Sequence, residues 1–217
     1  MNEHDYEPIP GLPGPLPEGE TILWQGTPRW QAFARRAMRV RLVTGYFMLL
    51  AIWGIAGRLS SGTPPEQVLL STLRLGGLAA VAIGLLVLFS WLVARTTMYT
   101  ITTRRVVIRF GIAVPISIQI PFGMIASAGA RSWSDGSGDI ALTLLAGQRI
   151  GYAVLWPHAR PWRTGRAEPA LRGIADAAAV SLILGRALAA SAAQPARAIA
   201  VPVGESAGAG GHVPAAA

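Results

Sequence analysis

Residues 75–94 read LGGLAAVAIGLLVLFSWLVA, a run of twenty residues without a charge. Arg74 and Arg95 flank this run on either side. Twenty helical residues extend about 30 Å, which matches the hydrocarbon core of a bilayer. A buried helix of a soluble protein is the alternative, but it fits less well because such a long stretch carries no charge at all. We therefore predict a transmembrane helix here.

A second apolar run precedes the first, from Leu42 to Gly57, between Arg41 and Arg58. Its sixteen residues cover about 24 Å, and the two flanking arginines could extend to the interfaces to make up the difference. The connector from Leu59 to Leu73 contains Pro64 and Pro65. We predict a transmembrane hairpin over residues 41–95, with spans at about 42–58 and 75–94.

Small residues recur along one face of the second span. Gly77, Ala80 and Gly84 follow the spacing i, i+3, i+7. Small side chains let two helices in a membrane approach closely. We expect this face to pack against Ala51 and Gly54 of the first span.

The formal net charge of +8 is distributed unevenly along the chain. Residues 1–40 form a Pro-rich lead-in whose first 28 residues hold five acidic residues and no arginine. Five arginines then precede the first span, between Arg29 and Arg41, and four follow the second, between Arg95 and Arg109. Cytoplasmic loops of membrane proteins carry this excess of basic residues. We expect a multi-pass protein of the cytoplasmic (inner or intracytoplasmic) membrane with both termini in the cytoplasm, in contact with membrane lipids and without a nucleic-acid partner.

The composition leaves few groups for catalysis. The chain has no Cys and no Lys, so disulfides, Cys-ligated metals, Cys nucleophiles and Schiff-base lysines are excluded. Asp135 and Asp139 flank a Gly-rich turn, but no third acid lies near them in the sequence. We expect a protein that is not an enzyme and that has no cofactor and no metal site.

After the second span, apolar residues recur at every second position and no longer at the spacing of a helix, which is typical of half-buried strands. The strands predicted in this way centre on Tyr99–Ile101, Val106–Phe110, Ile116–Ile120, Ile140–Leu144 and Tyr152–Trp156. Gly-containing turns separate several of them, notably Ser134–Gly138. The pattern predicts an antiparallel sheet or small barrel within residues 96–190.

A C-terminal helix is predicted to begin at Glu168-Pro169 and to pack on the sheet. One face of this helix would carry Leu171, Ile174, Ala178, Leu182 and Ala189. A third span is the alternative, but Asp176 and Arg186 bracket only nine residues. Whether residues 173–193 associate with the membrane stays open. Residues 191–217 are rich in Ala, Gly and Pro, and we expect a disordered tail there.

Two motifs resemble those of bacterial pleckstrin-homology-like (PH-like) domains. The stretch Tyr99–Gly111 (YTITTRRVVIRFG) resembles their opening hairpin, and Glu18–Pro28 resembles the acidic, Trp-containing lead-in before their membrane hairpin. The resemblance implies a seven-stranded, strongly bent antiparallel sheet closed by one C-terminal helix. The expected fold class is therefore an α+β membrane protein, with a two-helix transmembrane hairpin followed by a PH-like domain.

Three further segments resemble a narrower family, the photosynthetic-complex assembly proteins of purple phototrophic bacteria. These segments are Tyr6–Pro17, Asp135–Leu145 and Leu155–Trp162. The resemblance implies a role in assembling the reaction centre and the reaction-centre–light-harvesting core complex. Reaction-centre and core light-harvesting subunits are the implied partners, and a homo-oligomer is a further option.

The candidate contact residues lie in two places. Trp156, His158, Arg160 and Trp162 form an aromatic and basic cluster suited to partner docking or to the membrane surface. Arg104 and Arg105 lie at a predicted turn and could contact anionic lipid or a partner. A pigment- or lipid-binding carrier that uses His158 or a pocket in the domain is the alternative function. A general membrane-stress module is a third option.

Overall fold

The computed structural model describes residues 11–147, 150–160, 165 and 167–193. The predicted tail therefore lies outside the described residues from position 194 onward. The helices are α1 (Trp30–Arg36), α2 (Val40–Ser60), α3 (Pro65–Thr96), α4 (Tyr152–Leu155) and α5 (Ala177–Ala193). The strands are β1 (Ile22–Gly26), β2 (Met98–Thr102), β3 (Arg105–Phe110), β4 (Ile116–Pro121), β5 (Ile125–Ser132), β6 (Ser137–Leu144) and β7 (Ala170–Ala175).

The seven strands in the described part of the chain form two antiparallel sheets. The first has the order β1-β2-β3-β4 and the second the order β5-β6-β7. A 3-10 turn at Phe122–Met124 separates β4 from β5, and these two strands are not hydrogen-bonded neighbours. The α+β class with antiparallel sheets is confirmed. Within the described residues the sheets form no closed barrel, so the barrel form of the prediction is wrong.

The hairpin of α2 and α3 is inserted between two neighbouring strands. Strand β1 comes before the hairpin and pairs with β2 directly after it, with Trp24 opposite Ile101 and Gly26 opposite Tyr99. Part of the segment that we predicted as a lead-in is thus a strand of the domain. Because the β1–β2 pair joins both ends of the inserted segment, the hairpin is tied to the sheet on both sides.

The core lies between the two sheets and is closed by α5. Alternate residues of β2, β3, β4 and β6 point inward, as the period-two pattern predicts. Completely buried side chains include Tyr99, Ile101, Ile108, Ile120, Ile140, Leu142, Leu171 and Ile174.

Two elements differ from their predictions in type. Tyr152–Trp156, predicted as a strand, contains the short helix α4. Ala170–Ala175, predicted as the start of a helix, is strand β7, which pairs with β6. Gly173 has a φ of 65°, a conformation that ends a regular helix, and Asp176 has a φ of 50° just before α5.

The buried face of α5 differs from the predicted face because the helix begins eight residues later. Ala177, Val180, Leu184 and Ala187 are buried against the sheets. Leu182, which we predicted to face the core, is 62% exposed. The predicted buried face was wrong because its helical spacing was counted from Leu171 and Ile174, which belong to strand β7.

Replacing Leu184 by alanine tests this assignment of the buried face. We expect Leu184→Ala to lower the free energy of unfolding by about 2–4 kcal/mol, because it leaves a cavity in the core. The matched control Leu182→Ala removes the same atoms from an exposed position and should cost under about 0.5 kcal/mol. Urea unfolding followed by circular dichroism in detergent measures both values. Equal losses in the two variants would contradict the assignment.

Helices α2 and α3 are both long and apolar enough to cross a membrane. No residue of α2 is buried, and Trp53 is 75% exposed, so a buried core helix does not describe α2. The loop between the two helices is short, because α3 begins at Pro65 and includes most of the predicted connector.

The predicted contact of Gly77, Ala80 and Gly84 with the first span is wrong. All three residues are exposed, and a Cβ placed on Gly77 or Gly84 would meet nothing within 4 Å. The half-buried residues of this part of α3 include Leu75, Ala79 and Ile83, nearly opposite on the helix. Gly77, Ala80 and Gly84 therefore lie on an exposed face of α3 and not at its contact with α2.

Candidate functional site

His158 lies at the junction of the hairpin and the domain. Its Nδ1 is 2.8 Å from the hydroxyl oxygen of Tyr99, and its Nε2 is 3.3 Å from Oγ1 of Thr97. The ring centroids of Phe110 and Phe33 are 4.9 and 5.8 Å from that of His158. The imidazole therefore contacts α1, the residue after α3, and strands β2 and β3.

The hydrogen bonds of Tyr99 indicate the tautomer of His158. The Tyr99 hydroxyl accepts a hydrogen bond from the backbone N–H of Arg172 at 3.1 Å, so its own proton is left to donate. The nearest acceptor is Nδ1 of His158, and this leaves the proton of a neutral imidazole on Nε2, directed at Thr97. We assign this tautomer from the hydrogen-bond network.

Burial holds the His158–Tyr99 pair in its neutral form. Burial, with a smaller contribution from the positive charge of Arg172, lowers the pKa of His158 to about 3. Burial also raises the pKa of Tyr99 well above its ordinary value. Since a general base works best with a pKa near the operating pH, this pair is poorly suited to acid–base catalysis at pH 7.

The surroundings of His158 are also poorly suited to holding a pigment. Both ring nitrogens already have partners, and the side chain is fully buried. The cavity beside the ring has a volume of about 140 Å³, whereas pockets for small molecules measure about 300–1,000 Å³. His158 is therefore a core residue of the junction and not a surface contact.

Trp156 lies on the outside of the same junction. Its ring stacks on Phe89 of α3 with a centroid distance of 5.5 Å, and the residue is 49% exposed. With Met38 and Leu92 it lines an apolar groove of about 670 Å³ along α3. Phe89 lies six residues before Arg95, about 9 Å along the helix, so Trp156 packs near the end of α3 that adjoins the domain.

The other predicted members of the cluster do not join Trp156. Arg160 Nη1 is 2.8 Å from Oε2 of Glu168, whose side chain is buried. Trp162 lies outside the described residues. The described members of the predicted cluster therefore do not form one surface. Trp156 packs on α3, His158 is buried, and Arg160 is in an ion pair.

Arg104 and Arg105 lie at the turn between β2 and β3, away from the hairpin. Strand β2 begins next to α3, so about 20 Å of extended chain separates the turn from the end of the span. Arg105 Nε is 2.9 Å from Oε1 of the buried Glu20, which fastens the lead-in to the sheet. Arg104 is exposed. This geometry does not favour the turn as a membrane contact on the hairpin side.

The sequence did not reveal how the arginines before the first span are used. Arg35 and Arg36 of α1 each lie 3.2 Å from Oδ2 of Asp135, in the turn between β5 and β6. Hydrogen bonds from Ser137, and with smaller effect from Arg36, lower the pKa of Asp135 to about 2. These contacts link residues about 100 positions apart, and no local pattern predicts them.

Comparison with known proteins agrees with this architecture. A family model described as "Bacterial PH domain" matches residues 47–188, from within α2 to within α5. A relative in Rhodobacter capsulatus, the "Uncharacterized 23.7 kDa protein in puhA 5'region", is 40% identical over 205 residues, which cover 90% of this chain and 92% of the relative. No solved structure matches the chain. The match of most of the domain and of the hairpin shows that this chain belongs to the bacterial PH domain family.

Proposed function

We propose that this protein is a membrane-anchored, non-catalytic assembly factor for the photosynthetic reaction centre and the reaction-centre–light-harvesting core complex. This is the role implied by its resemblance to the photosynthetic-complex assembly protein PuhB. The observation that carries the proposal is the gene location given in the name of the Rhodobacter capsulatus relative, the 5' region of puhA, a reaction-centre gene. That location favours photosynthesis over a general membrane-stress role.

In this proposal the hairpin crosses the cytoplasmic membrane twice, and the domain and both termini lie in the cytoplasm. The arginines that precede α2 and those that follow α3, at the end of the hairpin next to the domain, support this orientation. The physical advantage is confinement, because an anchored domain has a high effective concentration near membrane-inserted clients. The clients would be nascent reaction-centre and core light-harvesting subunits.

The junction supports docking because it is held rigidly. The β1–β2 pair, the His158 contacts and the ion pairs between α1 and Asp135 all fix the domain relative to the start and end of the hairpin. A client that contacts both the spans and the domain would meet a preformed surface, which lowers the entropic cost of binding. Trp156 is an exposed aromatic residue on that surface, a type enriched at the centres of interfaces.

Co-purification with reaction-centre subunits tests the proposal. We expect the full-length protein, solubilised in mild detergent, to retain reaction-centre subunits, and a deletion strain to accumulate fewer core complexes. Trp156→Ala should reduce co-purification about tenfold, while Trp53→Ala, an exposed tryptophan far from the junction on α2, should leave it unchanged. Normal levels of core complex in the deletion strain would overturn the proposal. A purified protein without pigment absorbance is also expected.

A further inference from the structure

A cleft rich in arginine lies between α1 and the outer face of the second sheet. Its volume is about 510 Å³. The charged residues that line it are Arg36, Arg39, Arg131, Arg160, Arg172 and Asp139. We call this feature the Arg cleft. Among the described residues of its lining, five guanidinium groups against one carboxylate make it a site of concentrated positive charge.

Trp133 and neighbouring hydroxyl and carboxylate groups orient two of these arginines. The Cζ atom of Arg36 lies 3.8 Å from the centroid of the Trp133 ring, and that of Arg131 lies 5.8 Å from it. Arg36 Nη1 also donates to Oγ of Ser137 at 2.6 Å. Stacking on an aromatic ring holds a guanidinium in place while leaving edges of its fork for a ligand.

Arg172 supplies a buried charge at the base of the cleft. The residue is 7% exposed, and its Nη1 donates to the carbonyl oxygen of Pro157 at 3.2 Å. Its Nε has no hydrogen-bond partner among the described residues. The nearest carboxylate oxygen, Oδ2 of Asp139, is 3.6 Å away, while Oδ1 of Asp139 accepts from the backbone N–H of Gly173. Arg172 is therefore ion-paired with Asp139, but its buried Nε makes no hydrogen bond, and an anion at this position would supply the missing acceptor.

The remaining carboxylates near the cleft do not neutralise it. Glu168 pairs with Arg160, and Asp135 is shared between Arg35 and Arg36. Among the described residues, three carboxylates, including Asp139, thus lie near six arginines. Phosphate oxygens match the fork of a guanidinium and accept charge-assisted hydrogen bonds from it.

We propose that the Arg cleft binds the phosphate group of an anionic ligand. Two sources of that group are possible, the headgroup of a membrane lipid and a soluble phosphate compound. The position of the cleft favours the lipid. Arg39, which lines the cleft, directly follows Met38, which lines the apolar groove beside Trp156, so the cleft and a groove suited to an acyl chain each include a residue at the start of α2. This preference rests on the membrane insertion that the proposed function includes.

Ligand-dependent thermal stability of the full-length protein in detergent tests the proposal. The probes are short-chain phosphatidylglycerol, the zwitterionic phosphatidylcholine with the same chains, and inorganic phosphate. The test variant carries Arg131→Gln, which leaves the buried Arg172 and the ion pair of Arg160 with the buried Glu168 intact for folding. The charge-matched control carries Arg104→Gln, an exposed arginine outside the cleft.

We expect phosphatidylglycerol to stabilise the wild-type protein at lower concentrations than phosphatidylcholine. The test variant should bind it about tenfold more weakly, as expected for the loss of one charge-assisted contact, while the control binds normally. Stabilisation by inorganic phosphate without a preference for phosphatidylglycerol, and lost in the test variant, would assign the cleft to a soluble phosphate compound. If neither probe distinguishes wild type from the test variant, the proposal is wrong. Assembly of core complexes is measured separately, so failure here does not decide the proposed function.

Discussion

The His158→Ala variant is expected to unfold with a free energy about 4 kcal/mol below that of the wild-type protein. The substitution removes a ring that is fully buried among Phe33, Tyr99 and Phe110, and truncation of a buried ring costs about 3–5 kcal/mol. It also removes Nδ1, the atom to which the buried Tyr99 hydroxyl donates its hydrogen bond. Urea unfolding in detergent, followed by circular dichroism, measures the loss.

The Tyr99→Phe variant provides the control for this loss. It retains the aromatic packing and removes only the hydroxyl that faces Nδ1 of His158, so we expect a loss of about 1–2 kcal/mol. A His158→Ala variant that is no less stable than Tyr99→Phe would show that the ring does not support the junction.

The pH dependence of stability gives a second measurement on His158. Its pKa is about 3 in the folded protein and near 6.5 when unfolded. Between these values the unfolded chain binds a proton that the folded chain does not, so the stability contributed by His158 is complete above pH 6.5 and declines as the pH falls toward 3. Between these pH values the free energy of unfolding should rise with pH more steeply in the wild-type protein than in His158→Ala, by up to about 1.4 kcal/mol per pH unit. Equal slopes would mean that His158 titrates normally in the folded state.

The sequence predicted the elements that have a strong local pattern. Strands β2, β3, β4 and β6 alternate apolar and polar residues, and their predicted positions agree with the structure. The two apolar helices follow from long stretches without charge, since that property needs no knowledge of the rest of the chain. Strand β5 was not predicted because its residues, IASAGARS, are small and show no alternation.

Other features depend on contacts between distant segments. Ile22–Gly26 becomes a strand because β2 offers it an unpaired edge, about 75 residues later in the chain. Ala170–Ala175 has an apolar pattern compatible with a helix, but pairing with β6 makes it a strand. The burial of His158 and the convergence of five arginines in the Arg cleft likewise arise only after α1 packs near β7. Local spacing around WPHARPW could therefore identify an unusual segment without showing which of its side chains are inside.

The packing of α5 against β6 leads to the second large effect, at Gly138. This residue is buried in β6, opposite Ser132 of β5 and Ile174 of β7. A Cβ built on Gly138 would clash with the Cβ of Ala177, the first residue of α5, and would lie 2.5 Å from the carbonyl oxygen of Arg131. The start of the helix or the neighbouring strand would have to move to admit a side chain.

We expect Gly138→Val to lower the free energy of unfolding by at least about 3 kcal/mol, because overpacking costs about 1–3 kcal/mol and here both obstacles are backbone atoms or a Cβ close to the backbone. Gly129→Val is the matched control in the adjacent strand β5, where an added Cβ meets nothing within 4 Å. Since valine favours strands and glycine weakens them, the control should be neutral or slightly stabilising. Thermal unfolding in detergent compares the two variants. A Gly138→Val protein as stable as Gly129→Val would show that α5 does not close over β6 at this point, and the core between the two sheets would then have to be covered in another way.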